Sequence, residues 1–142
     1  MAVQKSLLEH ADKTLPELNY AVELQKLAAE VGFDWPDVRG VISKIHEEIE
    51  EVTAEINTPN NQARLLDEMG DLLFACTNLA RHLNIDPEQA LNAGNKKFYL
   101  RFAMLEDIVR QNNQDINKCS LEQLEQIWND VKKQNISSKQ VK

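Results

Sequence analysis

The sequence predicts an all-α protein built as a five-helix bundle. Only four glycines and four prolines occur among 142 residues, so few positions interrupt regular structure. The strong helix formers Leu, Glu, Gln, Lys and Ala are abundant, and apolar residues recur at the spacing of three and four that is typical of an amphipathic helix. We expect an N-terminal arm at 1–14, one domain at 15–134 and a C-terminal tail at 135–142.

Sequence signals place the ends of the first two helices. The first helix is predicted to start at Pro16, which suits a first turn, and to stop at Gly32, a favoured residue just beyond a helix end. The second helix is predicted to start at Asp34 or Trp35, directly before a proline. A polar segment with a proline at 57–61 then breaks the chain.

Three further helices follow. The third is predicted over 62–83, and the fourth over 87–111, with Asp86 as its N-cap and a proline at its first position. Ser120 and Gln123 have the spacing of a capping box and predict the start of the fifth helix.

The second helix carries a dense acidic set beside its apolar stripe. At about 100° per residue, Glu48 and Glu51 fall on one flank of that stripe, with Lys44 beside them. Glu47 projects toward the far side of the helix. The flank therefore presents carboxylates next to the predicted core.

The third helix carries a second acidic set. Glu68 and Asp71 are three residues apart and share one side of the helix, with Asn78 two turns further along. Apolar residues surround Asp71 on nearly all sides, so we expect its carboxylate to be drawn into the fold. A buried carboxylate needs a positively charged partner.

The two acidic sets can form one cation site. If the second and third helices pack antiparallel, as their short connection suggests, the carboxylates of Glu48, Glu51, Glu68 and Asp71 can converge. Oxygen ligands without a nearby Cys or His suit Mg²⁺ or Mn²⁺ rather than zinc. The alternative is that these glutamates are ordinary solvated helix surface.

The acidic sets and their flanking residues resemble a known family. Glu-Glu-x-x-Glu followed by Glu-x-x-Asp resembles the signature of the all-α nucleoside triphosphate pyrophosphohydrolases. The segments Val-Gly-Phe-Asp-Trp at 31–35, Gly-Asp-Leu-Leu-Phe at 70–74 and Asn-Leu-Ala-Arg-His at 78–82 narrow the resemblance to MazG. It covers about 15–134 and is strongest to the catalytic C-terminal domain of two-domain MazG.

The resemblance implies an activity and roles for particular residues. It implies hydrolysis of nucleoside triphosphates to nucleoside monophosphate and pyrophosphate, a house-cleaning of nucleotide pools, with Mg²⁺ (or Mn²⁺) held by the four carboxylates named above. Glu47, Glu48 and Glu51 would be catalytic, and Glu47 or Glu51 would take the proton from water. The implied substrate-binding residues are Trp35, Lys44, Asn78, Lys97, Arg101, Trp128 and Lys132.

Other interpretations fit some of the same residues. Trp35 and Trp128 also suit plain aromatic packing in a bundle, and Lys97 and Arg101 also suit an ordinary helix surface. The function could be narrower, such as a dCTP or dUTP pyrophosphatase or a phosphoribosyl-ATP pyrophosphohydrolase. It could also be that of a non-catalytic acidic helical dimer.

Charge and composition limit the partners. The formal charge of −7 disfavours binding of polymeric nucleic acid, whereas a small nucleotide can bind through a divalent cation. We find neither a signal-peptide pattern nor an apolar run long enough to span a membrane, so the cytoplasm is expected. Two long helices cannot cover their own apolar faces, which predicts a homodimer with a shared four-helix core.

Overall fold

The computed structural model describes the backbone of residues 4–141 and the side chains of residues 4–134. Over that backbone it has five α-helices, two short 3₁₀ helices and no strand, which confirms the all-α class. The α-helices α1 to α5 are Glu17–Glu30, Val38–Glu55, Gln62–His82, Pro87–Gln111 and Leu121–Val141. The 3₁₀ helices are Leu7–His10 and Ile116–Lys118. The first three residues of the predicted arm, and the side chains of the predicted tail at 135–142, lie outside the described residues.

Most helix ends follow the sequence signals. Gly32 has a φ of 86°, the left-handed conformation that closes α1. At the start of α4 the Asp86 carboxylate accepts a hydrogen bond of 2.8 Å from the Glu88 backbone N–H. Ser120 and Gln123 exchange side-chain to backbone hydrogen bonds of 2.9 and 3.1 Å at the start of α5, so the predicted capping box is confirmed.

The predicted start of α2 was wrong by a few residues. Asp37 is the N-cap, and its carboxylate accepts a hydrogen bond of 2.9 Å from the Arg39 backbone N–H. Asp34 does not cap α2, because its carboxylate pairs with Arg81 on α3 instead. The segment before α2 is therefore a loop fixed to a neighbouring helix.

The structure divides into two compact units, the first ending at Ala90 and the second starting at Leu91, within α4. In the first unit, α2 and α3 are joined by only six residues and pack on each other, while α1 packs on α3. The 3₁₀ helix at Leu7–His10 packs on α1. The buried side chains of this unit are both apolar and polar, and they include Ala11, Val22, Gln25, Val41, Glu48, Ala75 and Thr77.

The second unit contains most of α4 together with α5. Leu105, Val109 and Val131 are its buried apolar side chains. The Phe98 ring lies 5.6 Å from the ring of Trp128, centroid to centroid. Trp128 therefore joins α5 to α4 within this unit.

Part of the predicted apolar stripe is exposed in the single chain. Several large apolar side chains on α2 and α3 keep two fifths or more of their surface accessible, and they are Ile42, Ile49, Leu66, Met69, Leu73 and Phe74. The dimer that would cover them stays a prediction. In the part of the chain that the structure describes, each helix is too short or too polar to cross a bilayer.

Candidate active site

Three of the four predicted metal ligands converge between α2 and α3. Glu48 on α2 and Glu68 and Asp71 on α3 each place a carboxylate oxygen so that the three atoms lie within 4.8 Å of one another. The three-residue spacing puts Glu68 and Asp71 on one side of α3, as the helical periodicity predicts. Glu51 is outside this cluster, which we call the acidic cluster, although its charge acts on Glu68.

Burial within the acidic cluster differs from the expectation. Asp71 was predicted to be drawn into the fold, but it is exposed, and the buried carboxylate is that of Glu48, at 6% exposure. The reason is that Leu73 and Phe74, the apolar neighbours of Asp71, are themselves 52% and 47% exposed in the single chain. The buried acid thus comes from α2.

The electrostatics of the acidic cluster favour a cation. Burial, followed by the charges of Glu51 and Asp71, raises the pKa of Glu68 above its ordinary value. Partial desolvation of the exposed Asp71 carboxylate, followed by the charges of Asp67 and Glu48, raises the pKa of Asp71. Raised pKa values mean that the ionised forms are disfavoured where they stand. A hard divalent cation, which prefers oxygen ligands, would relieve that repulsion, so the residues fit such an ion.

Lys44 supplies the nearest positive charge. Its Nζ lies 3.1 Å from a carboxylate oxygen of Glu48 and 3.3 Å from one of Glu47. Hydrogen bonds to these two acids raise the pKa of Lys44, and the bond to Glu48 contributes most. The Glu47 side chain is 58% exposed and outside the acidic cluster, so its catalytic role stays a prediction.

A cavity of about 780 Å³ opens beside the acidic cluster in the first unit. Three of the predicted substrate residues, Trp35, Lys44 and Asn78, line it together with Glu48 and Asp71. The apolar part of the lining comes from α1, α2, α3 and the first 3₁₀ helix. It includes Leu8, Leu24, Ala28, Val41, Phe74 and Ala75. A ligand with an apolar ring and a charged end would match this lining.

Trp35 is held against the backbone of α2. A Cβ added at Gly40 would lie 2.7 Å from Cε3 and 2.9 Å from Cδ2 of the Trp35 ring. Only glycine therefore allows this close approach of the indole to the helix. Trp35 stays 46% exposed, so one part of its surface remains available to a ligand.

Sequence reasoning assigned no site role to several residues that line the cavity, among them Leu8, Gln25, Asp34 and Arg81. Gln25 lies on the apolar face of α1, three residues after Val22, and a polar residue in that position was an available signal. Its Nε2 donates hydrogen bonds of 3.0 and 3.1 Å to Phe74 O and Thr77 Oγ1, whereas its Oε1 is buried without a partner among the described residues. Leu8 offered no signal, since it falls in the predicted arm.

Four predicted substrate residues lie in the second unit. Lys97 and Arg101 are one turn apart on α4, and Trp128 and Lys132 are one turn apart on α5. Lys97 and Lys132 are exposed, and the Nε of Arg101 is buried without a hydrogen-bond partner among the described residues. Their roles stay predictions.

The fold and the acidic cluster define a class of protein, an all-α helical domain with a carboxylate site suited to a divalent cation. Comparison with known families gives the particular family. Residues 37–102 match the MazG nucleotide pyrophosphohydrolase domain. This match confirms the resemblance to MazG seen in the sequence.

Similar proteins extend the match beyond those residues. The chain is 44% identical over 134 residues to the nucleoside triphosphate pyrophosphohydrolase of Escherichia coli K12, covering 94% of this chain and 51% of that protein. It is 36% identical over 129 residues to the nucleoside triphosphate pyrophosphohydrolase/pyrophosphatase MazG of Thermotoga maritima, covering 91% and 49%. It is 41% identical over 129 residues to the uncharacterized protein YabN of Bacillus subtilis, covering 91% and 26%. The chain thus spans about half the length, or less, of these curated relatives.

Proposed function

We propose that this protein hydrolyses nucleoside triphosphates to nucleoside monophosphate and pyrophosphate in a Mg²⁺-dependent reaction. Two similar proteins are named for a nucleoside triphosphate pyrophosphohydrolase activity. The observation that carries the proposal is the acidic cluster of Glu48, Glu68 and Asp71 beside the 780 Å³ cavity. A nucleotide has an aromatic base, whose faces make apolar contacts, and a charged end, and this arrangement suits both.

The metal is proposed from the ligand chemistry. Glu48, Glu68 and Asp71 would hold Mg²⁺, with Glu51 as the fourth predicted ligand, and Mn²⁺ could replace it. When bound, the ion would supply positive charge to the phosphate oxygens and lower the pKa of a water molecule. No Ser, Cys or His is needed as a nucleophile in this proposal.

The bond changes follow from the products. A water oxygen bonds to the α-phosphorus, the bond from that phosphorus to the bridging oxygen breaks, and pyrophosphate leaves with that oxygen. We assign the proton of the water to Glu51, on the carboxylate oxygen that would not hold the metal, rather than to Glu47. The charge of Glu51 acts on Glu68 in the acidic cluster. The Glu47 carboxylate pairs with Lys44 instead, and the Glu47 side chain is 58% exposed.

The remaining roles come from the cavity and from the family resemblance. In the first unit, Trp35 would stack on the base, Asn78 would bind the nucleotide by hydrogen bonding, and Lys44 would attract its phosphates. In the second unit, Lys97, Arg101 and Lys132 would bind phosphates and Trp128 the base; for these four the proposal rests on the resemblance.

A homodimer and a cytoplasmic location complete the proposal. The exposed apolar side chains of α2 and α3 support a second copy of the chain as the partner, because burial of such a surface stabilises association. Size-exclusion chromatography with light scattering gives the mass, and a monomer at micromolar concentration would argue against the dimer.

The function is tested by pyrophosphate release from each common ribo- and deoxyribonucleoside triphosphate, with Mg²⁺ and with EDTA. Wild-type protein should form monophosphate and pyrophosphate only with the metal, and Glu48→Gln and Asp71→Asn should lose this activity. Glu50→Gln is the matched control, because Glu50 is an exposed acid of α2 outside the acidic cluster.

The substrate profile decides between broad and narrow function. Turnover of many bases supports a house-cleaning enzyme, whereas turnover confined to dCTP or dUTP, or to phosphoribosyl-ATP added to the panel, supports a specialist. Well-folded protein without activity on any of them would overturn the proposal and favour a non-catalytic acidic dimer.

A further inference from the structure

One guanidinium group connects two residues that line the cavity. The Nε of Arg81 donates a hydrogen bond of 2.9 Å to Oδ1 of Asn78. The NH2 group of the same side chain donates a hydrogen bond of 2.6 Å to Oδ1 of Asp34. Arg81 and Asp34 keep only 13% and 25% of their side-chain surface exposed, so this pair is shielded from water.

The contact with Arg81 decides which way the Asn78 amide faces. Arginine carries donors only, so the atom facing its Nε must be the amide oxygen and cannot be the amide nitrogen. The Nδ2 group of Asn78 is therefore turned away from Arg81, and no described residue accepts a hydrogen bond from it. Asn78 is one of the residues that line the cavity, so this amide group is available as a hydrogen-bond donor to a ligand bound there.

The contact with Asp34 holds a second residue of the cavity lining in place. Oδ1 of Asp34 also accepts a hydrogen bond of 2.8 Å from the Trp35 backbone N–H and lies 3.0 Å from Nε2 of His82. The loop that carries Trp35 is thereby attached to the end of α3. The same guanidinium thus sets the position of the indole and the orientation of the Asn78 amide.

The distance along α3 indicates which part of a nucleotide meets Asn78. Asn78 is seven residues beyond Asp71, which is roughly 10 Å along the helix axis. A phosphate at the acidic cluster is too far away to be its partner. A nucleoside extending from that phosphate toward Trp35 places its sugar and base at about this distance.

We propose that Arg81 is a positioning residue of the nucleotide site, which fixes Asn78 as a hydrogen-bond donor to an acceptor atom of the nucleoside. This inference rests on the proposed function. The group that touches the ligand is Asn78, and Arg81 acts through it and through the Trp35 loop.

Binding of α,β-methylene nucleoside triphosphates in Mg²⁺, measured by calorimetry, tests the inference without hydrolysis. Asn78→Asp retains an acceptor for Arg81 but replaces the donor with a second carboxylate oxygen. We expect the melting temperature to be kept or raised, and the Kd to rise about tenfold, as for one lost hydrogen bond with an unpaired partner. Asn112→Asp, at an exposed turn, controls for the added negative charge.

Arg81→Lys tests the positioning role itself. A lysine ammonium can pair with Asp34 but lacks the planar fork that reaches two acceptors at fixed angles. We expect Arg81→Lys to weaken nucleotide binding. The double variant with Asn78→Asp should bind no worse than the weaker-binding single variant, because both substitutions remove the same hydrogen bond between Asn78 and the nucleoside.

The outcomes separate this inference from the proposed function. If wild-type protein neither binds the analogues nor hydrolyses triphosphates, the proposed function fails. If wild-type protein does both and Asn78→Asp binds like wild type, the function stands and the inference is overturned. Additive effects of the two substitutions on binding would also overturn it, because they would show that Arg81 does not act through Asn78.

Discussion

The Nζ of Lys44 lies 3.1 Å from a carboxylate oxygen of Glu48, one helical turn further along α2. The Glu48 side chain is 8% exposed, whereas that of Lys44 is 41% exposed. This pair therefore joins a buried acid to a cation that still reaches water. It makes Lys44 an internal counter-charge at the place where the proposed Mg²⁺ would bind.

Replacing Lys44 with glutamine should destabilise the fold, because a buried carboxylate loses its charged partner. We expect a loss of about 1–2 kcal/mol, below the value for a fully buried pair since Lys44 is partly solvated. Mg²⁺ should raise the melting temperature of Lys44→Gln more than that of wild type. Lys26→Gln, which breaks an exposed pair with Glu23, should change neither the stability nor the rise in melting temperature with Mg²⁺. An equal rise in melting temperature with Mg²⁺ in Lys44→Gln and in wild type would show that Lys44 and the metal do not share Glu48.

Mg²⁺ should stabilise the wild-type fold through the acidic cluster. At a concentration one hundred times Kd, a ligand that binds only the folded state contributes about 2.7 kcal/mol. Glu48→Gln and Asp71→Asn should lose most of this gain, whereas Glu50→Gln should keep it. Thermal melts over a Mg²⁺ titration measure the effect. Full stabilisation of Asp71→Asn by Mg²⁺ would remove Asp71 from the proposed ligands.

Asp71→Asn should also be as stable as wild type, or more stable, when no divalent cation is present. The pKa of Asp71 is raised in the folded chain, so its ionised form is disfavoured there, and at neutral pH its charge opposes folding. Replacing the carboxylate with a neutral amide removes this unfavourable contribution to the free energy of folding. Urea melts in EDTA at pH 7 measure the difference, and a marked loss of stability would contradict the electrostatic account.

The pair of Asp34 and Arg81 should make stability depend on pH. The hydrogen bond from Arg81 holds the pKa of Asp34 below its ordinary value. For an acid with a lowered pKa, the stabilisation is present above the pKa of the unfolded chain and is lost as the pH falls through the folded value. Asp34→Asn should therefore cost about 1.5–3 kcal/mol at pH 7. That cost should shrink as the pH falls below about 4.

Asp107→Asn is the control for this pH dependence, because Asp107 and Arg110 form an exposed pair on α4. We expect little change in stability from it at any pH. A cost of Asp34→Asn that stayed constant from pH 7 to pH 3 would mean that the ion pair is not its source.

Gly40→Ala should displace the Trp35 ring. The added Cβ would lie 2.7 Å from Cε3, closer than carbon atoms pack, so either the ring or the helix must move. In a Trp128→Phe background, the emission of Trp35 should shift toward the red as it becomes more solvated, and nucleotide affinity should fall. Gly94→Ala is the control: Gly94 has no described atom within 4 Å of an added Cβ, and alanine there should stabilise the helix. Unchanged emission in Gly40→Ala would contradict the packing described above.

The helices and the position of the acidic cluster could be predicted from the sequence because both depend on local spacing. Capping residues such as Asp86 and Ser120 act within one turn, and the three-residue spacing of Glu68 and Asp71 fixes their common side of α3. The same reasoning brought Glu48 to the cluster, since its angle from the apolar stripe follows from helical geometry alone.

Burial and long-range pairing could not be predicted in this way. The sequence placed the buried acid at Asp71, but the structure has it at Glu48, because exposure depends on which neighbours cover a side chain. The pairing of Asp34 with Arg81 joins residues 47 positions apart, and no local pattern signals such a contact. The position of Gln25 on the apolar face of α1 did signal its burial, but no local pattern identified Thr77, 52 positions away, as its hydrogen-bond partner.

The repulsion within the acidic cluster has a consequence for protein engineering. A screen for heat-resistant variants, run in a buffer that chelates divalent ions, would favour neutral replacements at Glu68 and Asp71, since each relieves an unfavourable charge. Such a selection would yield variants that are more stable to heat but have lost the proposed catalytic centre. Adding Mg²⁺ to the screening buffer should reverse the preference and retain both acids through successive rounds.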